Sequence, residues 1–437
     1  MMKSIFQRKS FLLMALILVT FTLFSGIALS SEPIEIVLWH QEAAAQRVEA
    51  VQKMIDRFNA QQDGIRVVQA PQTWGEIYPK LYAAIEAGNP PDILFSLPDL
   101  TMAMKLTGAL TPVEDIVAKV DEKYDLLESQ ITPYAHDDHI WAVPMWGMTQ
   151  VIQFNKGMFD EAGIPHQLDT WDELLDAVET LTRAGKFGFG FPASQAMMTD
   201  QYVYNFMITN NTEMFDGDGN VTLDSQQGVE SFAFIKQLLD NSPPDVLTWA
   251  FGDRQLYFLS ETVAMVMDFP GLQSISDAEK DGTGPFGFMR VPYPEGGKPG
   301  SASYSNGATV FTKDPVKLEA VETFLMFMHD PEINGEWLAN MSPGLYLPIT
   351  RAAMESKSFW SNELIAERED DMRLAFETTA DGNLFGFEHD PHPVIGRVSG
   401  ENLLGQMAGQ LATGLMTPEE VVTWGADMIR SWIREMQ

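Results

Sequence analysis

Ile34-Glu35-Ile36-Val37-Leu38-Trp39, Ile65-Arg66-Val67-Val68 and Ile93-Leu94-Phe95 are three short apolar runs separated by two amphipathic stretches, and their order decides the fold. Between the first two, Val48, Val51, Ile55 and Phe58 recur at helical spacing. Between the second and third, residues 77–86 carry a helical pattern that Gly88 closes ahead of Pro90-Pro91. This βαβαβ order predicts a parallel or mixed sheet covered by helices, with ligands bound beyond the carboxyl ends of the strands. Two loops stand at such ends: His40-Gln41-Glu42 after the first run and Ser96-Leu97-Pro98-Asp99 after the third.

A second α/β unit begins after Pro144, with a strand predicted over 151–154. Thr170-Trp171-Asp172-Glu173 is a capping box, in which the first and last side chains satisfy each other's backbone amides, so a helix starts there. Further helices are predicted over 226–239, from Asp314-Pro315 with Leu318, Val321, Leu325 and Met328 on one face, and from Thr417-Pro418 to the C-terminus. Residues 281–307, dense in Gly, Pro and Ser, read as a loop-rich stretch. No repeat at a period of 20 to 50 residues is visible, which disfavours a solenoid or propeller.

The chain has 437 residues, long enough for two or three domains, and a hydrophobic fraction of 45% that suits an ordinary globular protein. It has no cysteine, which removes disulfides, thiol nucleophiles, Cys-ligated zinc, iron–sulfur clusters and lipidated cysteine anchors together. Lys and Arg total 28 against 61 Asp and Glu, a net charge of -33, which argues against nucleic acid or an anionic membrane as a partner. Residues 1–30 read as a secretory signal: Lys3, Arg8 and Lys9, then an uncharged apolar run from Phe11 to Phe24, then small residues around Gly26 and Ala28. An uncleaved anchor is the alternative, since residues 11–29 nearly span a bilayer. Removing three basic residues with the leader leaves 25 against 61, a net charge of -36 for the exported chain.

The spacing of several motifs resembles the family 1 extracellular solute-binding proteins of carbohydrate ABC importers. The marks are Leu38-Trp39-His40, the segment Ala83-Ala84-Ile85-Glu86-Ala87-Gly88-Asn89-Pro90-Pro91-Asp92-Ile93, and Trp141-Ala142-Val143-Pro144 followed by Phe154-Asn155-Lys156. They continue through Val263-Ala264-Met265, Phe269-Pro270, Tyr304-Ser305-Asn306-Gly307 and Leu345-Tyr346-Leu347-Pro348, so the resemblance spans nearly the whole exported chain. It departs where the family usually has a glycine two residues after Pro144 and an acid four after it; here these are Trp146 and Met148, which leaves the ligand open. The resemblance implies an α/β, two-lobe periplasmic-binding-protein fold with mixed sheets, three crossovers and a ligand cleft between the lobes. Lobe one would be 31–145 plus 304–345, and lobe two 146–303 plus 346–437. Pro144, residues 300–307 and Pro343-Gly344 would be the connectors, with closure by hinge bending. It also implies a periplasmic monomer that hands a sugar to a membrane permease.

A sugar offers hydroxyls around its rim and apolar C–H faces, so its site needs flat aromatic surfaces and side chains able to donate and accept. Trp74, Trp146, Trp249, Phe269 and Tyr346 are candidate surfaces, with Trp146 first because it lies at the crossover and Trp249 last. His40, Gln41, Glu42, Ser96, Asp99, Asp268, Asn306 and His392 are candidate hydrogen-bonding groups. Each has a structural alternative: packing for the aromatics, a helix cap for His40 and Asp99, a turn cap for Asp268.

No metal or cofactor is expected. Asp216-Gly217-Asp218-Gly219-Asn220 opens like a calcium loop, but the sixth and twelfth positions are Val221 and Gln227, so a turn is predicted. His136-Asp137-Asp138-His139 reads as a surface turn. Two rival functions stay open: a secreted glycoside hydrolase or lyase, which would need two suitably spaced carboxyls, and a polyamine or other small-solute binder, which an acidic aromatic cleft would also serve.

Overall fold

The computed structural model describes residues 32–73, 76–389 and 391–436; the leader and Trp74 lie outside them. Its strands are, in chain order, β1 (Ile34–His40), β2 (Ile65–Pro71), β3 (Ile93–Ser96), β4 (Ala135–His136), β5 (His139–Ile140), β6 (Ala142–Thr149), β7 (Val151–Asn155), β8 (Phe187–Phe189), β9 (Val263–Asp268), β10 (Phe286–Met289) and β11 (Ser303–Val310). A five-stranded sheet runs β2-β1-β3-β11-β6 and a four-stranded sheet runs β10-β7-β9-β8. The opening βαβαβ stretch is parallel, β1 pairing with both β2 and β3, whereas β11 runs antiparallel to β3 and β6. In the second sheet β7 runs antiparallel to β10 and β9 while β8 is parallel to β9, so both sheets are mixed, and the architecture is the two-lobe one.

Each sheet is covered by helices whose apolar faces build a core. Helix Ala45–Asn59 turns Val51, Met54, Ile55 and Phe58 inward, and Phe58 meets Phe324 edge-on at 5.1 Å. This core continues through Phe95, Trp146, Phe324 and Trp337. The second core centres on β9, buried along its full length, with Phe154, Phe189, Phe206 and Met407 around it. Thr170 and Glu173 close the predicted capping box on helix Trp171–Leu181, and Asp314 accepts from the Val316 amide at the start of helix Pro315–Met328.

Both acidic turn motifs fold as turns. Asp137 and Asp138 take φ of 52° and 61° between β4 and β5, the left-handed pair that closes a two-residue hairpin. Asp216 Oδ1 accepts from the Asp218 and Asn220 amides, and Phe215 bridges Val221. The loop-rich reading of 281–307 is corrected: β10 and the start of β11 lie within it, because their runs are short and bounded by Gly and Pro.

The lobes meet where β6 and β11 leave the first sheet. Their register holds from Thr309↔Ala142 to Ser303↔Thr149, with a bulge at Asn306/Gly307. Gln150 alone separates β6 from β7 of the second sheet, so this passage falls six residues beyond Pro144. A third stretch returns beside it: Gly147 and Leu347 exchange backbone hydrogen bonds, and the Leu127 amide donates to Ile349. Buried Asn205, from helix Met197–Thr209, ties the first two passages together. Its Nδ2 donates to Gln150 Oε1 at 2.7 Å, its Oδ1 accepts from the Ala302 amide at 2.8 Å, and Ser301 Oγ donates to the Gln150 carbonyl at 2.6 Å.

Asn205→Ala strands two buried partners, so urea unfolding should report a loss of about 2–4 kcal/mol. A loss within about 0.5 kcal/mol, the scatter of a surface substitution, would show that the amide does not hold the passages.

Candidate functional site

Between the lobes lies a cleft of about 510 Å³. One wall is the first lobe's Tyr78, with Leu97, Pro98, Asp99 and Ala103 around helix Pro98–Lys105; the other is Met197, Asp200 and Gln201 with Leu384, Ile395, Gly396, Ser399 and Gly400 of the second lobe. Tyr304 of β11 lines the same space, with Phe385 and Phe387. Strand ends place these groups as the opening pattern predicts: β3 ends at Ser96, and the helix starting at Pro98 aims its first turn into the cleft.

The polar groups of the cleft are few and connected. Tyr78 donates to Asp99 Oδ2 at 3.1 Å. Gln201 Nε2 donates to the Tyr304 hydroxyl at 3.0 Å, and Gln150 Nε2 to Gln201 Oε1 at 3.2 Å, so the lining reaches the Asn205 network. Asp200 accepts from the Gly405 amide at 2.6 Å, and burial pushes its carboxyl up to about 8, which leaves it largely protonated at neutral pH. Asp99 is open to the cleft, yet the two walls displace most of the bulk water around it, and that desolvation raises its carboxyl too. Burial, and then the nearby Asp200 and Asp99, push the Tyr304 phenol above its ordinary range.

Of the residues singled out from sequence, Asp99 lines this cleft; it sits in the first turn of its helix, whose N-cap is Leu97. Phe269 lies beside it, half-buried, with its ring 6.0 Å from that of Tyr304. A second group gathers at the carboxyl end of β1, where His40, Gln41, Glu42 and Tyr346 are buried. Tyr346 donates to Glu42 Oε2 at 2.6 Å, and Arg47 Nη1 donates to the same oxygen at 3.0 Å. His40, kept neutral by burial, bonds Gln69 Oε1 through Nε2 at 2.7 Å. Among the described residues His40 Nδ1, Gln41 Nε2 and Asn306 Nδ2 are buried without a partner.

Other expectations are corrected. Trp146 offers no stacking surface: it is 1% exposed and packs edge-on against Phe95, Trp337 and Tyr346, because its place on a fully buried part of β6 turns it into the first core. Trp249 is core in the second lobe, against Tyr257. Ser96 belongs to a buried hydroxyl cluster with Thr101 and Thr309. Asp268 accepts from Arg254 Nη2 at 2.6 Å and from the Phe269 amide, an internal ion pair and turn cap. His392 stacks on Phe215, away from the cleft lining.

The sequence reading passed over Tyr78, Asp200, Gln201, Tyr304, Phe385 and Phe387. A signal existed for Asp200: it is the one charged residue in Met197–Thr209, a helix buried on nearly every side. An acid in such a setting marks a functional site more often than a solvated face.

A family model of the bacterial extracellular solute-binding proteins matches residues 53–367. The sn-glycerol-3-phosphate-binding periplasmic protein UgpB of Escherichia coli is 28% identical over 342 residues, 73% of this chain and 75% of its own. The arabinooligosaccharide-binding protein of Halalkalibacterium halodurans is 26% identical over 213 residues, 47% of this chain and 46% of its own. Among solved structures, the cyclic alpha-maltosyl-1,6-maltose binding protein from Arthrobacter globiformis superposes with a TM-score of 0.74 at 19% identity, covering 91% of this chain and 98% of that one. With the two-lobe architecture in place and the family model spanning most of its length, this chain belongs to the bacterial extracellular solute-binding proteins.

Proposed function

We propose that the protein captures a sugar or oligosaccharide between its lobes, returns it chemically unchanged, and passes it as a monomer to the membrane permease of an ABC importer. The observation that carries this reading is the interlobe cleft, where the rings of Tyr78, Tyr304, Phe385 and Phe387 accompany only a few polar groups. Aromatic faces suit sugar C–H faces, and Asp99, Gln201 and the Tyr304 hydroxyl suit the hydroxyl rim. Residues 1–30 act in this reading as a cleaved signal that delivers the chain to the periplasm, and ligand contact with both walls draws the lobes together. The buried groups His40 and Gln41 at the end of β1, and Asn306 on β11, are further polar contacts that such a movement would open or engage.

Two carboxyls facing one cleft also invite a hydrolytic reading. A glycosidase, however, needs environments that push its two carboxyls apart, one acid and one ionised. Here burial raises both Asp99 and Asp200, which supports capture over turnover.

In a thermal-shift panel of neutral mono-, di- and trisaccharides, at least one should stabilise the exported chain by about 2.7 kcal/mol at a hundredfold excess over its dissociation constant. Chromatography after long incubation should return the sugar intact; cleaved product at enzyme-like rates would sink the binding reading. Tyr304→Ala should cost that sugar about 1–3 kcal/mol of affinity by calorimetry. Trp146→Ala should instead cost about 3–5 kcal/mol of stability.

Asp200 yields a test without ligand. An acid whose folded pKa lies above its unfolded value of 3.8 contributes stability below that value and loses it as pH rises through about 8. Asp200→Asn should therefore raise the melting temperature relative to the parent at pH 9 by more than it does at pH 4, and an equal change at both would place the carboxyl in water.

A further inference from the structure

Charge is distributed unevenly around the cleft. One carboxyl stands on each wall, Asp99 on the first lobe and Asp200 on the second, and among the described residues the lining includes no Lys, Arg or His. Cations on the flanking elements are committed elsewhere. Lys105, at the end of the helix that carries Asp99, pairs with Asp137 and lies over the Trp141 ring. Arg397, next to the lining residue Gly396, pairs with Glu435 at 2.7 Å and lies over the Trp432 ring at 4.9 Å. Helix Leu403–Ala412, which supplies the Gly405 amide to Asp200, contains no ionisable side chain.

We propose that the cleft acts as a charge filter, with Asp99 on one wall and no cation among the described lining residues to offset it, admitting uncharged saccharides and rejecting their phosphorylated or carboxylated analogues. The proposal rests on the saccharide reading above and names the class within it. A ligand anion entering this space gives up water, faces Asp99 from one wall and meets no compensating cation among the described lining residues. A neutral polyol meets hydrogen-bonding groups instead: Asp99 Oδ2 already holds the Tyr78 hydroxyl, and Asp200, with Oδ1 taken by Gly405, has its second oxygen for a sugar hydroxyl. A net charge of -33 adds long-range repulsion of anions to the local penalty. Phosphate recognition by proteins ordinarily relies on Arg or Lys or on a helix N-terminus. Helices Pro98–Lys105 and Met197–Thr209 both start at this cleft, and each carries an acid in its first turn, Asp99 and Asp200, where an anion would otherwise sit.

The test uses the full exported chain and matched pairs: glucose with glucose 6-phosphate, maltose with its 6′-phosphate, glycerol with glycerol 3-phosphate, together with arabinotriose and spermidine. Calorimetry should show a neutral saccharide bound and its phosphate at least tenfold weaker. Asp99→Asn should narrow that gap, Ser399→Arg, which adds a cation at the lining, should narrow it further, and Asp200→Asn, which removes no charge at neutral pH, should leave it in place. A phosphate bound as tightly as its neutral partner, or a gap unmoved by both Asp99→Asn and Ser399→Arg, would overturn the filter while leaving the saccharide reading standing. Spermidine bound more tightly than every saccharide, or no saccharide bound at all, would overturn the saccharide reading and the filter with it.

Discussion

Asn205 and the two chain passages it joins set what the rest of the molecule can do. Two sheets with separate cores must be connected by backbone that leaves one core and enters the other, and every amide and carbonyl on the way needs a partner away from water. Gln150, Ser301 and Ala302 occupy that narrow place, and one buried carboxamide satisfies groups on both passages. Because Gln150 also bonds Gln201, and Gln201 bonds Tyr304, the cleft lining and the connection between lobes share one hydrogen-bonded network. A solute that touches Tyr304 or Gln201 therefore acts on the groups that fix the relative position of the lobes.

The same arrangement accounts for the character of the cleft. Tyr304 reaches it because β11 runs between the lobes; Asp99 reaches it because a helix starts at once after the carboxyl end of the central strand β3; Asp200 reaches it from the helix that also carries Asn205. Burying a carboxyl beside aromatic rings costs solvation, and the chain meets that cost by keeping Asp200 protonated, with the Gly405 amide as its partner.

Much of the fold was legible in the sequence, since periodicity reports which face of an element is buried. The βαβαβ opening, the Thr170 capping box and the proline-started helices follow from local rules that tertiary packing did not override. The cleft was less legible. Trp146 stood at the expected crossover, but whether a strand residue faces core or cleft depends on registration to neighbouring strands, which sequence does not carry; one residue's shift would have turned the ring outward. Asp268 stood at a strand end, yet Arg254, fourteen residues earlier, claims it. Asp99 was found because a loop after a strand is a local feature. Tyr78, Phe385 and Phe387 come together only through the long-range approach of distant segments, and no spacing rule could have joined them.

The central claim is that solute is held between the lobes at the cleft lined by Asp99, Asp200 and Tyr304. A crystal structure of the exported chain grown with the saccharide that stabilises it most tests this directly. The account predicts sugar density in contact with residues 97–103 on one side and with residues 197–201 or 384–400 on the other, with Tyr304 against the ring. Sugar seated instead in the separate hollow lined by Asp169, Arg290 and Tyr293, with the interlobe cleft holding only solvent, would contradict it.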